Sequence, residues 1–170
     1  MSWIGPRSVD GGVDEVPYEG PGRIWLCGRR VTAPDPVAAL ERSDCADFIV
    51  CMCERGELTE RYPDYVDWLQ ASDGTAALWF PTPDLHAPSF EDALAMVMAV
   101  AERLQRGESA LIHCGAGIGR APTFAICSLI ALGMSRADAL AIVAEHRPMA
   151  GPETGAQADL VEAMATHFRR

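Results

Sequence analysis

The chain has 170 residues, a length that suits one domain with a substantial buried core. Hydrophobic residues make up 49% of it and charged residues 22%, as in ordinary globular proteins. The net charge of −10 disfavours nucleic acid and anionic membrane surfaces as partners. The chain has no run of 18 or more apolar residues, and its first residues lack the basic and apolar regions of a secretory signal, so we expect no membrane partner.

The six cysteines lie mostly inside apolar runs, without the spacing of a small disulfide scaffold, which favours reduced thiols in a cytoplasm. Cys51 and Cys53 share one face of a predicted strand, but together with Cys45 they do not complete a set of four ligands, so no metal site is expected. Every basic residue is arginine and alanine is abundant, a composition that indicates a GC-rich bacterial source.

Residues 1–21 are rich in glycine, proline and acidic residues and are predicted to form an irregular arm, part of which adds an edge strand. Residues 22–170 are predicted to form one domain. Apolar periodicity and helix caps predict strands over 23–27, 46–53, 76–80 and 109–112, and helices over 35–42, 62–69, 89–106, 121–132, 135–146 and 154–168. This order predicts an α/β fold, with a single sheet between helices on both faces.

One tight loop, between the last predicted strand and its helix, carries the residues that indicate chemistry. Three alternating glycines, Gly115, Gly117 and Gly119, allow successive backbone N–H groups to converge on an anion at a helix N-terminus. Cys114 opens this loop and Arg120 closes it. Because N–H groups and a guanidinium stabilise a thiolate, we expect the pKa of Cys114 to fall to roughly 3.5–7.5. A thiolate in an amide cradle with a planar arginine is suited to phosphoryl transfer onto sulfur.

Two other interpretations of this loop fit the sequence less well. A dinucleotide-binding Gly-x-Gly-x-x-Gly pattern would need its last glycine at position 120 or 122, where Arg120 and Pro122 stand. A buried, unreactive cysteine is the usual interpretation of an isolated Cys, but His113 and Arg120 flank this one.

The sequence His-Cys-x5-Arg, formed by His113, Cys114 and Arg120, resembles the signature of cysteine-dependent protein tyrosine phosphatases. In size and element order the chain is similar to the small dual-specificity phosphatases. The resemblance implies a central sheet of about five strands flanked by helices on both faces. It also implies hydrolysis of a phosphorylated protein through a phosphocysteine intermediate, without a metal or other cofactor.

The resemblance also assigns the reacting groups. Cys114 is the nucleophile, and Asp84, on a proline-rich loop 30 residues earlier, is the general acid that protonates the leaving oxygen. A turn aspartate would be the structural alternative for Asp84, and Asp92 is a weaker rival that is better explained as a first-turn acid of its helix. The phosphoryl oxygens are expected to bind Arg120 and the backbone N–H groups of the loop, contributed by Gly115, Ala116, Gly117, Ile118, Gly119 and Arg120 itself.

Three further residues have expected supporting roles by the same resemblance. His113 orients the loop through hydrogen bonds, and Gln157 either places the hydrolytic water or is an ordinary surface glutamine. Cys53 resembles a strand-end cysteine that forms a reversible disulfide with the nucleophile after oxidation.

The chain departs from the signature at Ala121, where relatives usually carry Ser or Thr. Loss of that hydroxyl predicts slower hydrolysis of the phosphocysteine intermediate, by about ten- to a hundredfold.

The preferred function is therefore a protein phosphatase acting on phosphotyrosine, with phosphoserine and phosphothreonine left open. A small-molecule or lipid-headgroup phosphatase is one alternative, although basic residues are lacking at Gly115, Ala116 and Ile118. A catalytically weak, phosphate-binding pseudophosphatase is another, suggested only by Ala121. Rhodanese-like sulfur transfer also uses a loop cysteine but has no counterpart of Asp84. The oligomeric state is left open.

Overall fold

The computed structural model describes residues 12–169. Five strands form one mixed sheet in the order β1-β2-β5-β3-β4. Strand β1 pairs antiparallel with β2 at one edge, and the other neighbouring strands pair in parallel. The bounds of the strands are β1 Val13–Val16, β2 Ile24–Gly28, β3 Phe48–Cys51, β4 Ala77–Trp79 and β5 Ala110–Cys114. The predicted α/β fold with about five strands is confirmed.

Side chains of the three central strands alternate between two hydrophobic cores, one on each face of the sheet. Ile112 and Val50 face one core, whereas Leu111 and Ile49 face the other. All four are fully buried, as is expected for parallel strands covered on both faces.

Helices cover both faces of this sheet. Their bounds are α1 Arg29–Thr32, α2 Pro36–Arg42, α3 Arg55–Leu58, α4 Pro63–Ser72, α5 Phe90–Gln105, α6 Arg120–Ala131, α7 Arg136–His146 and α8 Gly155–Phe168. The first core lies beneath α5 to α8, with α6 at its centre, and the second lies beneath α1 to α4. Within residues 12–169, every helix is too short or too polar to span a lipid bilayer.

The predicted helix starts are confirmed by their caps. Asp35, Ser89 and Ser135 each accept a hydrogen bond from the backbone N–H three residues later, at 3.0, 3.2 and 3.1 Å. These side chains satisfy donors that the first helical turn leaves without a partner. The six helices predicted from periodicity are present, with bounds that shift by a few residues at most.

Val13–Val16 forms the edge strand that was expected in the N-terminal arm, and residues 1–11 of that arm lie outside the described residues. The structure differs from the sequence-based expectation at two short segments. The single-turn helices α1 and α3 were not predicted, because four residues are too few to show a helical period.

The parallel strands end at one edge of the sheet, and this edge gathers the chemically interesting residues. Gly28 at the end of β2 lies beside Cys114 at the end of β5, and Cys51 at the end of β3 lies beside His113. The chain after β4 leads directly to Asp84. The carboxyl edge of a parallel sheet is where ligand sites form in open α/β folds.

Candidate active site

The loop between β5 and α6, residues 115–119, turns its carbonyl oxygens outward. The N–H of Arg29 reaches the oxygen of Gly115 at 3.1 Å, and the N–H of Gly151 reaches that of Ile118 at 2.9 Å. The guanidinium of Arg147 donates to the two oxygens between them, and the oxygen of Gly119 accepts from the backbone of α6. Since all five carbonyls are held from outside, the N–H groups remain for the inner side of the loop. The backbone N–H groups of Gly117 and Ala121 donate hydrogen bonds to the Cys114 sulfur.

Gly117 is required by this geometry. Its φ of +71° lies in the left-handed region, and an added Cβ would overlap the carbonyl of Cys27 and approach Arg147 Nη2 to 2.6 Å. Any side chain at this position would therefore push the loop away from β2.

Cys114 lies at the floor of the loop with 3% of its surface exposed. Burial raises the pKa of its thiol above the usual value, although the Ala121 and Gly117 N–H groups and the Arg120 charge act in the opposite direction. The expectation of a depressed pKa is therefore wrong for this structure. The physical reason is that the sulfur is almost fully desolvated, while the charge of Arg120 is shared with a carboxylate.

Arg120 is held from three sides. Its Nη1 and Nη2 donate to the two carboxylate oxygens of Glu57 at 2.7 and 2.8 Å, and Nη1 also reaches the carbonyls of Thr82 at 2.7 Å and Met52 at 3.3 Å. The Nε–H of the same guanidinium is buried and has no hydrogen-bond partner among the described residues. A buried cationic donor without a partner is costly, so this atom is a site where an oxyanion would be stabilised.

Glu57 is a site residue that the sequence interpretation missed. It lies on α3, where its Oε2 also accepts the Glu54 N–H at 2.8 Å in a capping box, and its Oε1 lies 3.5 Å from Arg29 Nη1. Burial opposes its ionisation, but hydrogen bonds from Arg120 and from the Glu54 backbone lower its pKa overall. The only sequence signal was the Glu-x-x-Glu spacing of that cap, in the stretch between the predicted strand 46–53 and the predicted helix 62–69.

Asp84 lies within reach of the candidate phosphate site. Its side chain is 67% exposed, and its Oδ1 is 3.4 Å from Arg120 Nη2. The loop that carries it is anchored on both sides, because Thr82 accepts from Arg120 and the carbonyl of His86 accepts from Gln157 Nε2 at 3.3 Å. The structure therefore brings the predicted acid, arginine and cysteine to one place.

The ring of His113 and the side chain of Gln157 are both buried, and each holds a neighbouring segment. His113 Nε2 lies 2.6 Å from the hydroxyl of Tyr65, and its Nδ1 is 3.3 Å from the carbonyl of Cys114. Gln157 is 1% exposed, so it is not an ordinary surface residue; its Oε1 accepts the Glu153 N–H at 2.8 Å while its amide holds the Asp84 loop.

Cys53 is fully buried just beyond β3. A negative charge on Cys53 would oppose ionisation of the Cys114 thiol, so the two sulfurs lie in the same neighbourhood.

Arg147 is, after Glu57, a second residue that holds this site and to which the sequence analysis assigned no role. It is fully buried, and its guanidinium donates to the carbonyls of Gly117 at 2.6 Å and Ala116 at 3.0 Å. On its other side it pairs with Asp14 of β1 at 2.7 Å. Arg147 thus holds the back of the loop, opposite the face on which Cys114 lies.

Solved structures of other proteins share this fold. Human DUSP28 shares the fold at a TM-score of 0.68 and 17% identity, with both chains covered completely. The active form of Tk-PTP matches with a TM-score of 0.66 and 26% identity, covering 89% of this chain and 96% of that one.

Sequence relatives match over shorter stretches. Cyclin-dependent kinase inhibitor 3 of Rattus norvegicus is 33% identical over 97 residues, which cover 56% of this chain and 45% of that protein. Laforin of Mus musculus is 32% identical over 66 residues, 38% of this chain and 20% of that protein. The chain thus spans less than half the length of these relatives.

A family match covers most of the chain. Residues 33–164 match PTP-SAK, described as a Swiss Army Knife protein, DSP-PTPase phosphatase domain. This range contains Cys114, Arg120, Asp84 and Glu57, all of which the structure places around one loop. The chain therefore belongs to the PTP-SAK family of dual-specificity-type phosphatase domains, within the cysteine-dependent protein tyrosine phosphatase superfamily.

Proposed function

We propose that this protein hydrolyses phosphomonoesters on proteins, with phosphotyrosine as the primary substrate, through a phosphocysteine intermediate. One observation carries the proposal. The five carbonyls of residues 115–119 are all held from outside, while the buried Arg120 Nε–H has no hydrogen-bond partner within residues 12–169. An amide cradle and a guanidinium donor around a sulfur form a binding site for the equatorial oxygens of a phosphoryl group.

The reaction begins with in-line attack of the Cys114 sulfur on phosphorus. Arg120 and the N–H groups of residues 115–120 stabilise the charge that spreads over the phosphoryl oxygens. Because burial raises the pKa of Cys114, these donors have the further task of stabilising the thiolate. Asp84 donates a proton to the leaving oxygen, and in the second step the same carboxylate accepts a proton from the water that attacks the phosphocysteine. Gln157 positions the loop of Asp84 through the carbonyl of His86.

Charge at the rim of the site favours a protein substrate over a polyphosphorylated headgroup. The loop offers no basic side chain, since its residues are Gly115, Ala116, Gly117, Ile118 and Gly119. The carboxylate of Glu153 lies against the Cα of Gly119, so closely that a Cβ there would overlap it. A carboxylate beside the loop repels further phosphates, whereas it tolerates a single phosphate on a peptide.

A lipid-headgroup substrate remains the second candidate, because the fold is shared with PTPMT1 in complex with PI(5)P, at a TM-score of 0.63 and 16% identity.

The decisive experiment is steady-state hydrolysis of p-nitrophenyl phosphate, followed by panels of phosphopeptides and phosphoinositides. We expect Cys114→Ser to abolish activity and Asp84→Asn to lower kcat/KM by about 10²–10⁴-fold, the range of a general acid. Asp92→Asn is the matched control, because Asp92 is another acidic residue of the same region, placed in the first turn of α5. Equal losses in both Asp variants would contradict the assignment of the acid. Hydrolysis of phosphoinositides but not of phosphopeptides would select the lipid alternative, and inactivity on every substrate would overturn the enzymatic proposal.

We further infer that Cys53 protects Cys114 under oxidising conditions. Peroxide converts the Cys114 thiolate to a sulfenic acid, and the Cys53 sulfur then attacks it, forming a disulfide and releasing water. Non-reducing peptide mapping after peroxide treatment is expected to find a Cys53–Cys114 linkage in the wild type and in Cys45→Ser, whose replaced thiol is exposed. Recovery of Cys114 as sulfinic acid without this linkage would reject the protective role.

A further inference from the structure

Two cysteines and a histidine form a cluster on the face of the sheet opposite α6. Cys51 of β3 is the register partner of His113 of β5, so their side chains point to the same face of neighbouring strands. Cys53 follows two residues later on the same side. One sulfur from each cysteine and one ring nitrogen of His113 lie within 4.8 Å of one another. The cluster thus results from strand register and is not visible in the spacing of the sequence.

The surroundings of this cluster are dry. Cys51, Cys53 and His113 are all fully buried, in a core that also contains Leu58 and Leu69. Because an uncompensated thiolate in an apolar core is costly, a bound cation is the partner that would stabilise both sulfurs in their ligating form.

We propose that Cys51, Cys53 and His113 form a binding site for Zn²⁺. Thiolate sulfur and imidazole nitrogen are the ligands that zinc prefers, with bonds of about 2.3 and 2.0–2.1 Å. Tetrahedral angles at these bond lengths place the ligand atoms about 3.4–3.8 Å apart, so the cluster needs to contract by only about 1 Å. Two thiolates and a neutral imidazole also balance the charge of the ion, and the buried site therefore carries no net charge. The hydroxyl of Tyr65, next to the imidazole, lies beside the cluster as a further oxygen donor.

Zinc at this site affects the loop of residues 115–119 through His113. The imidazole now makes two hydrogen bonds, one with Tyr65 at Nε2 and one with the carbonyl of Cys114 at Nδ1. A metal ion on either nitrogen displaces one of these bonds, so it changes how the residue before the nucleophile is held. Zinc at this site therefore inhibits the proposed phosphatase activity without occupying the loop, and this inhibition is not competitive with substrate.

The test is zinc titration of the reduced protein, with metal content measured after gel filtration and with Co²⁺ as a spectroscopic substitute. We expect one Zn²⁺ per chain in the wild type, and thiolate-to-cobalt charge-transfer absorption with Co²⁺. Cys51→Ser and Cys53→Ser should weaken binding by about 100-fold or more, since even outer partners of a metal ligand are worth 10–100-fold. Cys127→Ser is the matched control, because Cys127 is equally buried but belongs to the core on the other face of the sheet.

Cys114→Ser separates this site from the catalytic sulfur. Retained zinc binding in Cys114→Ser supports the proposal, and its loss there would place the ion on the nucleophile and overturn it. Unchanged binding in both Cys51→Ser and Cys53→Ser would overturn it too, as would the absence of binding or of thiolate absorption in the wild type. Because the titration requires no catalysis, its outcome is independent of the proposed phosphatase activity.

Discussion

Replacing Glu57 with glutamine tests whether the Glu57 carboxylate positions Arg120 at the end of the loop of residues 115–119. Arg120 has 2% of its side chain exposed and makes a two-pronged ion pair with Glu57, whose own side chain is 21% exposed. Removing one partner of a buried pair costs about 3–5 kcal/mol. The amide oxygen of Gln keeps one acceptor, and the carbonyls of Thr82 and Met52 still hold Nη1, so we expect a smaller loss of about 2 kcal/mol.

If this free energy of about 2 kcal/mol is lost from the stabilisation of the transition state by Arg120, kcat/KM for p-nitrophenyl phosphate decreases about 30-fold. The same change has an opposite effect on the nucleophile. Without the negative charge of Glu57, the field of Arg120 acts more strongly on Cys114 and lowers its pKa. The pH dependence of iodoacetamide alkylation at Cys114 should therefore shift to lower pH in Glu57→Gln.

Glu54→Gln is the control for this experiment. Glu54 lies in the same capping box, but the contacts described for its side chain are with the backbone of α3 and do not include Arg120. A value of kcat/KM within twofold of the wild type in Glu57→Gln, or an equal decrease in Glu54→Gln, would refute the positioning role.

Four other outcomes follow from the structure. The urea midpoints of wild type and Glu57→Gln should converge as the pH is lowered. The pKa of Glu57 is lowered in the folded state, so its ionised form contributes stability that is present above about pH 4.5 and is lost as the pH falls through the lower folded value. Ala121→Ser should speed breakdown of the phosphocysteine about tenfold in rapid-quench measurements; an unchanged second step would show that the missing hydroxyl has no role. Arg147→Met should lower unfolding free energy by about 3 kcal/mol and kcat/KM at least about tenfold, since two loop carbonyls lose their donor; wild-type values in both assays would reject its role. Gln157→Ala should lower kcat/KM more for substrates with poor leaving groups than for p-nitrophenyl phosphate, because kcat/KM reports the step in which the leaving oxygen is protonated; an equal effect on both would show that Gln157 does not position Asp84.

The sequence predicts most of the fold because its local signals are strong. Ser89 and Ser135 cap their helices, the helix after Ser89 has a clear apolar stripe, and the apolar run around Ile49 is typical of a buried strand. The signature loop was predicted for the same reason, since glycines, cysteine and arginine lie within a few residues of one another.

The parts that were missed depend on contacts between distant segments. Glu57 meets Arg120 across 63 residues, and Cys51 meets His113 only through the register of two strands. The pKa of Cys114 was predicted in the wrong direction because the motif shows the donors around the sulfur but not its burial. Composition and spacing carry no information on such long-range effects.

The ion pair between Asp14 and Arg147 connects the chain upstream of the family-matched region to the loop of residues 115–119. Asp14 precedes residues 33–164, yet it neutralises a guanidinium that is wholly inside the protein and that supports two loop carbonyls. A shortened protein beginning at Ile24 would keep every residue of the signature but leave this buried cation without its counterion, at a cost of about 3–5 kcal/mol. We therefore expect the stable unit of this phosphatase domain to begin before residue 33, with β1 as part of the scaffold of the candidate active site.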